Sequence, residues 1–214
     1  MELVPSSAPG AIARAADCLG RGEVVAIPTE TVYGLAALPL SGSVERLIEA
    51  KQRSSEKGIQ LLVDSLEQVR AACVVPPAAQ RLADAFWPGG LTIVLDRRAD
   101  SDLPLLLGGG RATLGVRLPD HPVPRELARL LGPLAASSAN VTGLPPATTA
   151  QMVIESLSDV VSLVVDDGPV RGGVSSTVVD CSGSAGEAPV VLREGAIATS
   201  EIRAALGQEY TSAP

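Results

Sequence analysis

The chain has 214 residues, of which 46% are hydrophobic and 2% aromatic, and it carries a formal net charge of −7. This length fits one domain or at most two small ones, and the apolar content excludes a disordered chain. The acidic balance argues against a general nucleic-acid-binding surface, although it leaves room for a local basic cavity.

Periodicity and capping residues predict helices and strands that alternate along the chain. Helices are predicted at residues 11–19, 44–51, 66–73, 77–86, 123–131, 149–157 and 201–206. Apolar strands are predicted at residues 24–28, 59–63, 91–95, 113–118, 134–137, 163–165, 177–180 and 190–192. Ser43 is the predicted cap of the second helix, and Ser65 and Thr148 each open a capping box.

This alternation indicates an α/β fold, with a mixed sheet flanked by helices. The strands are continuously apolar, as expected when helices cover both faces of a sheet. No internal repeat or clear linker interrupts the sequence, so a single domain over residues 1–214 is predicted. Residues 183–188 are predicted to form a surface loop, and the last few residues a frayed tail.

Polar segments at strand ends are the candidates for chemistry. Residues 28–35 read Pro-Thr-Glu-Thr-Val-Tyr-Gly-Leu and directly follow a predicted strand. Two interpretations stay open for this segment. Its hydroxyls cap the next element, or they line a ligand site, because ligands bind at strand ends in open α/β sheets.

Lys51 and Arg53 form a second candidate, with Lys57 nearby as a third cation. Residues two apart point to roughly opposite sides of a continuing helix, but they share one side if the helix ends at Lys51 and the chain extends. Such a pair suits a polyphosphate, because Arg gives bidentate contacts and Lys a point charge. The alternative is two solvated charges that favour a helix C-terminus.

Ser138 and Asn140 form a third candidate, after a strand of small residues. In extended chain they project together and offer a hydroxyl and an amide to a ligand, or else they form an Asx or Ser turn. The surrounding residues 130–154 carry no charge but contain three prolines and many polar side chains. This composition argues against a membrane-spanning helix and predicts a buried polar site.

The remaining candidates lie at the ends of later strands. Arg117 ends a strand, so it is either a carboxylate clamp or a surface cation. His121 precedes a proline in a turn, where a structural hydrogen bond is favoured over catalysis. Thr113 begins a strand, and Ser176 with Thr177 either begins another or contacts a ligand. One histidine and no Cys-x-x-Cys pair argue against a metal site, and no standard nucleotide-binding motif is present.

The sequence also bears on the cellular compartment. Cys18, Cys73 and Cys181 are scattered and odd in number, which argues against a disulfide framework and suits a reducing environment. The N-terminus lacks the basic and apolar regions of a signal peptide. A cytoplasmic location is therefore predicted.

Taken together and in order, these segments resemble the YrdC-type family of L-threonylcarbamoyladenylate synthases. The matching pieces span residues 24–195 and include residues 28–35, Lys51-x-Arg53, Trp87-Pro88-Gly89, residues 116–119 with His121, Ser138-x-Asn140 with Gly143, Asp167-Gly168, residues 176–180 and Leu192-Arg193-x-Gly195. Each piece is weak alone, but eight in the correct order make a chance match improbable. The resemblance implies a twisted open mixed sheet flanked by helices around a large central cavity, without the additional C-terminal domain of some members.

The resemblance also implies roles for individual residues. The family's catalytic signature falls on Lys51, Arg53, Ser138 and Asn140. The implied ATP contacts are Arg53, Lys57, Thr113, Ser138 and Arg193. The implied L-threonine contacts are Thr31, Arg117 and Ser176. The chain departs from the family pattern at Ser54, Gly90, Pro146 with Ala147, and Ser175, which leaves the signature intact.

The implied reaction joins L-threonine, bicarbonate and ATP through a carbamate whose oxygen attacks the α-phosphate, with release of pyrophosphate. Mg²⁺ would accompany ATP without dedicated protein ligands, and the product would pass to a tRNA-modifying transferase complex. RNA binding stays open, as does the alternative that the chain is a double-stranded RNA-binding module of the same fold. Another alternative is a carbamoyl-transfer domain of a larger maturation enzyme, against which the free-standing length argues.

Overall fold

A computed structural model describes residues 1–183 and 188–207 of the chain. Its strands are β1 (Glu2–Pro5), β2 (Val25–Ile27), β3 (Gly34–Ala37), β4 (Gln60–Leu62), β5 (Leu91–Asp96), β6 (Thr113–Arg117), β7 (Leu134–Ser138), β8 (Leu163–Asp166), β9 (Thr177–Asp180) and β10 (Val190–Arg193). Its helices are α1 (Ala11–Gly20), α2 (Ser41–Ala50), α3 (Leu66–Ala72), α4 (Pro77–Phe86), α5 (Pro122–Leu131), α6 (Ala150–Leu157) and α7 (Thr199–Leu206), with a 3₁₀ turn at Leu105–Gly108.

The strands form a ten-stranded sheet in the order β1-β8-β2-β3-β7-β4-β6-β5-β9-β10. The pairs β1–β8, β2–β8, β4–β6 and β5–β9 are parallel, and the other neighbours are antiparallel. The predicted α/β class and mixed sheet are therefore confirmed. Within the described ranges, no helix has the length and apolar composition that crossing a lipid bilayer requires.

Most predicted elements occur within a few residues of their expected bounds, but strands β1 and β3 were not predicted. Each is only four residues long, and β3 consists of Gly, Leu and two Ala, which carry a weak strand signal. The antiparallel pairing of β2 with β3 makes residues 28–33 a connection within a hairpin. Most of the predicted loop at residues 183–188, and the predicted tail, lie outside the described residues.

The predicted helix caps were right in one case and displaced in two. The hydroxyl of Ser65 accepts a hydrogen bond from the backbone N–H of Gln68 at 3.3 Å, as predicted. The prediction of Ser43 as a cap was wrong, because helix α2 begins at Ser41 and Ser43 lies buried in its first turn. Helix α6 is capped by Thr149 and not by Thr148, since Thr149 accepts from the N–H of Met152 at 3.2 Å.

Two apolar layers cover the sheet unequally. Helices α2, α3, α4, α6 and α7 pack on one face, and α1 and α5 pack on the other. In this second layer, all of the described strand residues come from β1, β8, β2, β3, β7 and β4. On this face, the described residues of β6, β5 and β9 are therefore not part of the apolar layer, and their side chains are available to line a binding site.

Candidate active site

A pocket of about 270 Å³ lies over the uncovered half of the sheet, a volume close to the lower end of small-molecule sites. Its floor follows the two-residue alternation of strands: Thr113, Gly115 and Arg117 of β6 line the pocket, while Leu114 and Val116 lie in the core. The large central cavity implied by the resemblance stays a prediction.

The pocket walls are polar and carry positive charge. Hydroxyl groups line it at Thr92, Thr113, Ser137, Ser138, Ser175 and Ser176, and guanidinium groups at Arg53, Arg111, Arg117 and Arg193. No carboxylate is among the described lining residues. In a chain with a net charge of −7, this concentration of cations indicates a site for an anion.

The backbone at the end of helix α2 turns Lys51 and Arg53 toward the same region. The helix ends at Ala50, and Gln52 adopts φ of 49°, a left-handed conformation that L-residues rarely take. The alternative of two solvated charges is wrong for Lys51, whose exposed fraction is 3%.

Lys51 is engaged with the loop that follows β7. Its ammonium donates to the backbone carbonyl oxygen of Ser138, to that of Asn140 at 2.8 Å and to Asn140 Oδ1 at 3.2 Å. In return, Thr142 donates both its N–H and its hydroxyl to the carbonyl oxygen of Lys51. Burial, and then the charge of Arg53, lower the pKa of Lys51 to about 8. The ammonium thus holds the loop in place and is kept close to losing its proton.

Asn140 is also engaged within this loop. Its Nδ2 donates to the carbonyl oxygens of Leu144 at 2.7 Å and Val141 at 3.0 Å, while its Oδ1 accepts from Lys51. These contacts are not those of an Asx turn, in which Oδ1 would accept from the backbone N–H two residues on, because that N–H, of Thr142, donates to Lys51 instead. The amide of Asn140 is not among the described groups that line the pocket.

Arg53 and Arg193 are crowded by neighbouring positive charge. The guanidinium of Arg53 donates to Ser137 Oγ at 3.1 Å and to the carbonyl oxygen of Gly58 at 2.7 Å, whereas its Nε is buried without a partner. Burial and then the charge of Arg193 lower the pKa of Arg53, and burial and then the charge of Arg117 lower that of Arg193. A bound anion would relieve this repulsion.

Arg117 is 2% exposed and is held on three sides. Its Nη2 lies 2.6 Å from Glu30 Oε1 and 2.9 Å from Thr31 Oγ1, and its Nε donates to the carbonyl oxygen of Gly89 at 3.0 Å. Of the two interpretations made from sequence, the surface cation is wrong. Glu30 keeps one oxygen, Oε2, buried without a partner.

Six of the predicted site residues line the pocket: Arg53, Thr113, Arg117, Ser138, Ser176 and Arg193. Lys51, Asn140 and Thr31 lie behind the lining and contact it, and Lys57 is exposed on the loop after Arg53. His121 lies apart from the pocket, where its Nδ1 caps helix α5 by accepting from the N–H of Val123 at 3.2 Å, which is the structural role expected for it.

Sequence reasoning missed three polar residues that line the pocket in the structure, namely Gln60, Thr92 and Arg111. Thr92 and Gln60 interrupt predicted apolar strands, and a polar residue in such a strand is a signal that could have identified them. Arg111 carries no comparable signal, because one cation in a glycine-rich loop is ordinary on a protein surface.

Comparison with known proteins places the chain in a family. The Sua5/YciO/YrdC family model, described as telomere recombination, matches residues 17–195. The chain belongs to this family. The membership confirms the resemblance drawn from the ordered motifs.

Relatives within the Sua5/YciO/YrdC family agree in their names. The threonylcarbamoyl-AMP synthase of Bacillus subtilis (strain 168) is 40% identical over 199 residues, which are 92% of this chain and 56% of that protein. The putative threonylcarbamoyl-AMP synthase of Mycobacterium tuberculosis (strain ATCC 25618 / H37Rv) is 36% identical over 203 residues, covering 94% of this chain and 91% of that protein. The chain therefore spans just over half the length of the B. subtilis relative.

A solved family structure shows the same architecture. The crystal structure of Pyrococcus abyssi Sua5 complexed with L-threonine matches with a TM-score of 0.89 and 36% identity, covering 97% of this chain and 61% of that one. These relatives do not favour the alternative of a double-stranded RNA-binding module.

Proposed function

We propose that this chain synthesises L-threonylcarbamoyladenylate from ATP, L-threonine and bicarbonate, with release of pyrophosphate. The observation that carries the proposal is the pocket lined by Arg53, Arg111, Arg117 and Arg193 with no carboxylate among its described lining residues. Burial and then the charge of Arg193 lower the pKa of Arg53, and burial and then the charge of Arg117 lower the pKa of Arg193. The names of the family relatives support this choice of reaction.

In this proposal, one side of the pocket binds ATP. Its residues are Arg53, Arg193, Thr113, Ser138 and Lys57. The guanidinium groups bind the phosphates and stabilise the negative charge that shifts to the departing pyrophosphate. Transfer of an adenylyl group requires mainly alignment and charge stabilisation, so donors fixed before the substrates arrive are effective catalysts.

Arg117, Thr31 and Ser176 form the L-threonine side. The Nη2 and Nε groups of Arg117 already donate to acceptors in the protein, so Nη1 is the group that binds the substrate carboxylate. Glu30, Thr31 and the carbonyl oxygen of Gly89 fix the orientation of this guanidinium, so little entropy is lost when the substrate binds.

Two bond-forming steps follow. The threonine amine forms a C–N bond to carbon dioxide derived from bicarbonate and loses a proton, which gives a carbamate. A carbamate oxygen then attacks the α-phosphorus of ATP, the bond between that phosphorus and the β-phosphate oxygen breaks, and pyrophosphate leaves. Lys51 and Asn140 contribute by holding Ser138, at the end of β7, together with the loop that follows it.

Mg²⁺ enters this proposal as part of the ATP substrate. Among the described residues, no three or more His, Cys, Asp and Glu side chains are grouped as metal ligands, and the pocket lining offers hydroxyls and cations. The donor set therefore suits an ion that is coordinated by the phosphates and water, which is common for Mg²⁺.

The product is a reactive mixed anhydride, and we propose that a tRNA-modifying transferase complex consumes it in the cytoplasm. Cys18, Cys73 and Cys181 are buried free thiols, a state compatible with a reducing compartment.

The decisive experiment measures pyrophosphate release by the purified chain. Release is expected only when ATP, L-threonine and bicarbonate are all present, with threonylcarbamoyladenylate identified by mass spectrometry. Pyrophosphate release without threonine, or no release with all three substrates, would contradict the proposal.

A further inference from the structure

A hydrogen-bond relay crosses the floor of the pocket. Thr92 of β5 is 3% exposed, and its hydroxyl donates to Gln60 Oε1 at 2.7 Å and lies 2.8 Å from Ser176 Oγ. A hydroxyl has a single proton. Because Thr92 gives this proton to Gln60, the hydroxyl of Ser176 must donate to Thr92.

The direction of the relay decides what its two ends offer to a ligand. With its proton turned toward Thr92, the Ser176 hydroxyl acts as an acceptor. Arg193 Nη2 lies 3.5 Å from its oxygen, and the second lone pair is available to a ligand. Gln60 has its Oε1 occupied, and its Nε2 group has no hydrogen-bond partner among the described residues although Gln60 lines the pocket. The two ends therefore present an acceptor and a donor of fixed orientation.

Gly115 makes the relay geometrically possible. Gln60 lies on β4 and Thr92 on β5, and strand β6 runs between them. A Cβ atom at Gly115 would lie 3.3 Å from Thr92 Cγ2 and 3.8 Å from Gln60 Cβ. Because this position has no side chain, Thr92 and Gln60 reach each other across the intervening strand.

We propose that Thr92 is a positioning residue for the amino-acid side of the pocket, and that Gln60 is a further substrate-contacting residue. Ser176 accepts from the amine or hydroxyl of the amino acid, and the Gln60 amide donates to a carboxylate or carbamate oxygen. This inference rests on the proposed function, because Ser176 is assigned there to L-threonine.

Packing alone does not require the hydroxyl of Thr92. Valine is β-branched like threonine and has nearly its shape. Thr92→Val therefore keeps the shape and removes only the relay, whereas Thr92→Ser keeps the hydroxyl and removes a methyl group.

The test compares wild type, Thr92→Val and Thr92→Ser in pyrophosphate release, with threonine and ATP varied separately. Loss of two oriented hydrogen bonds is expected to raise the KM for threonine about tenfold or more in Thr92→Val, while the KM for ATP stays within about twofold. Thr92→Ser is expected to restore the threonine KM to within about threefold of wild type. Urea unfolding of each variant checks that it is folded.

An unchanged threonine KM in Thr92→Val, an equal rise in both KM values, or a Thr92→Ser variant no better than Thr92→Val would overturn the inference. If Thr92→Val does not fold, Gln60→Leu is measured in its place. The KM of Gln60→Leu for threonine is then expected to rise while its KM for ATP stays nearly unchanged, and an unchanged threonine KM or an equal rise in both would overturn the inference. If the wild type releases no pyrophosphate, the proposed function fails. Calorimetric titration of wild type and Thr92→Val with threonine then tests the relay separately. Weaker binding by the variant is expected, and equal binding by both proteins, or no binding by wild type, would contradict the inference.

Discussion

The ammonium nitrogen of Lys51 lies 2.8 Å from the backbone carbonyl oxygen of Asn140. This contact joins the end of helix α2 to the loop that directly follows Ser138, the pocket residue at the end of β7. A cation that satisfies carbonyl groups in this way is not free to bind phosphate as its main task. The positive charge of Lys51 therefore matters chiefly for the shape of the site.

The first prediction concerns activity and pH. The pKa of Lys51 is lowered to about 8, so the ammonium loses its proton within an accessible range and its hydrogen bonds to the loop are weakened. The kcat/KM for ATP is expected to fall as pH rises through about 8, since this parameter follows groups of the free enzyme. A profile that is flat from pH 7 to 9.5 would contradict this role.

The second prediction concerns stability and pH. Between the folded pKa of about 8 and the ordinary value of 10.5, the unfolded chain binds more protons at Lys51 than the folded protein does, so raising the pH favours the folded state. From pH 7.5 to 9.5, the free energy of unfolding of wild type should rise by about 2 kcal/mol relative to Lys51→Met. Urea unfolding of both proteins at both pH values measures the difference, and a fall of wild type relative to the variant would show the sign to be wrong.

The third prediction is that Arg53→Ala abolishes most adenylate formation with little loss of folding. Its hydrogen bonds to Ser137 and Gly58 are offset by repulsion from Arg193 and by a buried Nε without a partner, so its net contribution to stability is expected to be small. The loss of a phosphate donor, in contrast, typically lowers kcat by about 10²–10³. Arg14→Ala is the matched control, because Arg14 forms an exposed ion pair with Glu2 and its removal should leave turnover unchanged. Turnover of Arg53→Ala equal to that of the control would remove Arg53 from the site.

The fourth prediction separates charge from geometry at Asn140. Asn140→Ala removes the contacts to Lys51, Val141 and Leu144, so a strong loss of pyrophosphate release is expected. Asn140→Asp keeps an oxygen near Lys51 but loses the donor to Leu144 and adds a negative charge near the phosphates, so it should be no more active than the alanine variant. Wild-type activity of the aspartate variant would show that the Nδ2 contacts are dispensable.

The fifth prediction tests the division of the pocket. Arg117→Ala should weaken L-threonine binding by about two orders of magnitude, because a buried charge-assisted contact is lost, while ATP binding changes much less. Calorimetric titrations with each ligand measure this, and Glu30→Gln controls for the loss of the ion pair at 2.6 Å. Unchanged threonine affinity, or collapse of ATP binding instead, would assign Arg117 to the nucleotide side.

Local sequence signals predicted the α/β class, the helices and most strands, because apolar periodicity reports directly on burial. Strand β1 was missed since it is a short strand at the edge of the sheet, and β3 since its small residues resemble a loop. Lys51 and Arg53 were candidates from their charge and spacing, and the resemblance gave them a catalytic role, but the left-handed Gln52 between them has no sequence signature.

Contacts between distant elements could not be predicted in the same way. The ion pair of Arg117 and Glu30 joins the end of β6 to the connection between β2 and β3, across 87 positions of sequence. The approach of Thr92 to Ser176 spans 84 positions. Both depend on strand order, which a single sequence does not encode locally. This is why sequence reasoning found six polar residues of the pocket lining but not the internal contacts that orient them.

The side-chain alternation along β6 places two kinds of constraint on different residues. Thr113, Gly115 and Arg117 face the pocket, whereas Leu114 and Val116 are sealed in the core behind them. A directed-evolution library confined to the odd-numbered positions of this strand would therefore sample new substrate preferences while leaving the reverse side of the sheet intact. Within these five consecutive residues, the side chains that meet the substrate and those that fill the core are therefore different ones.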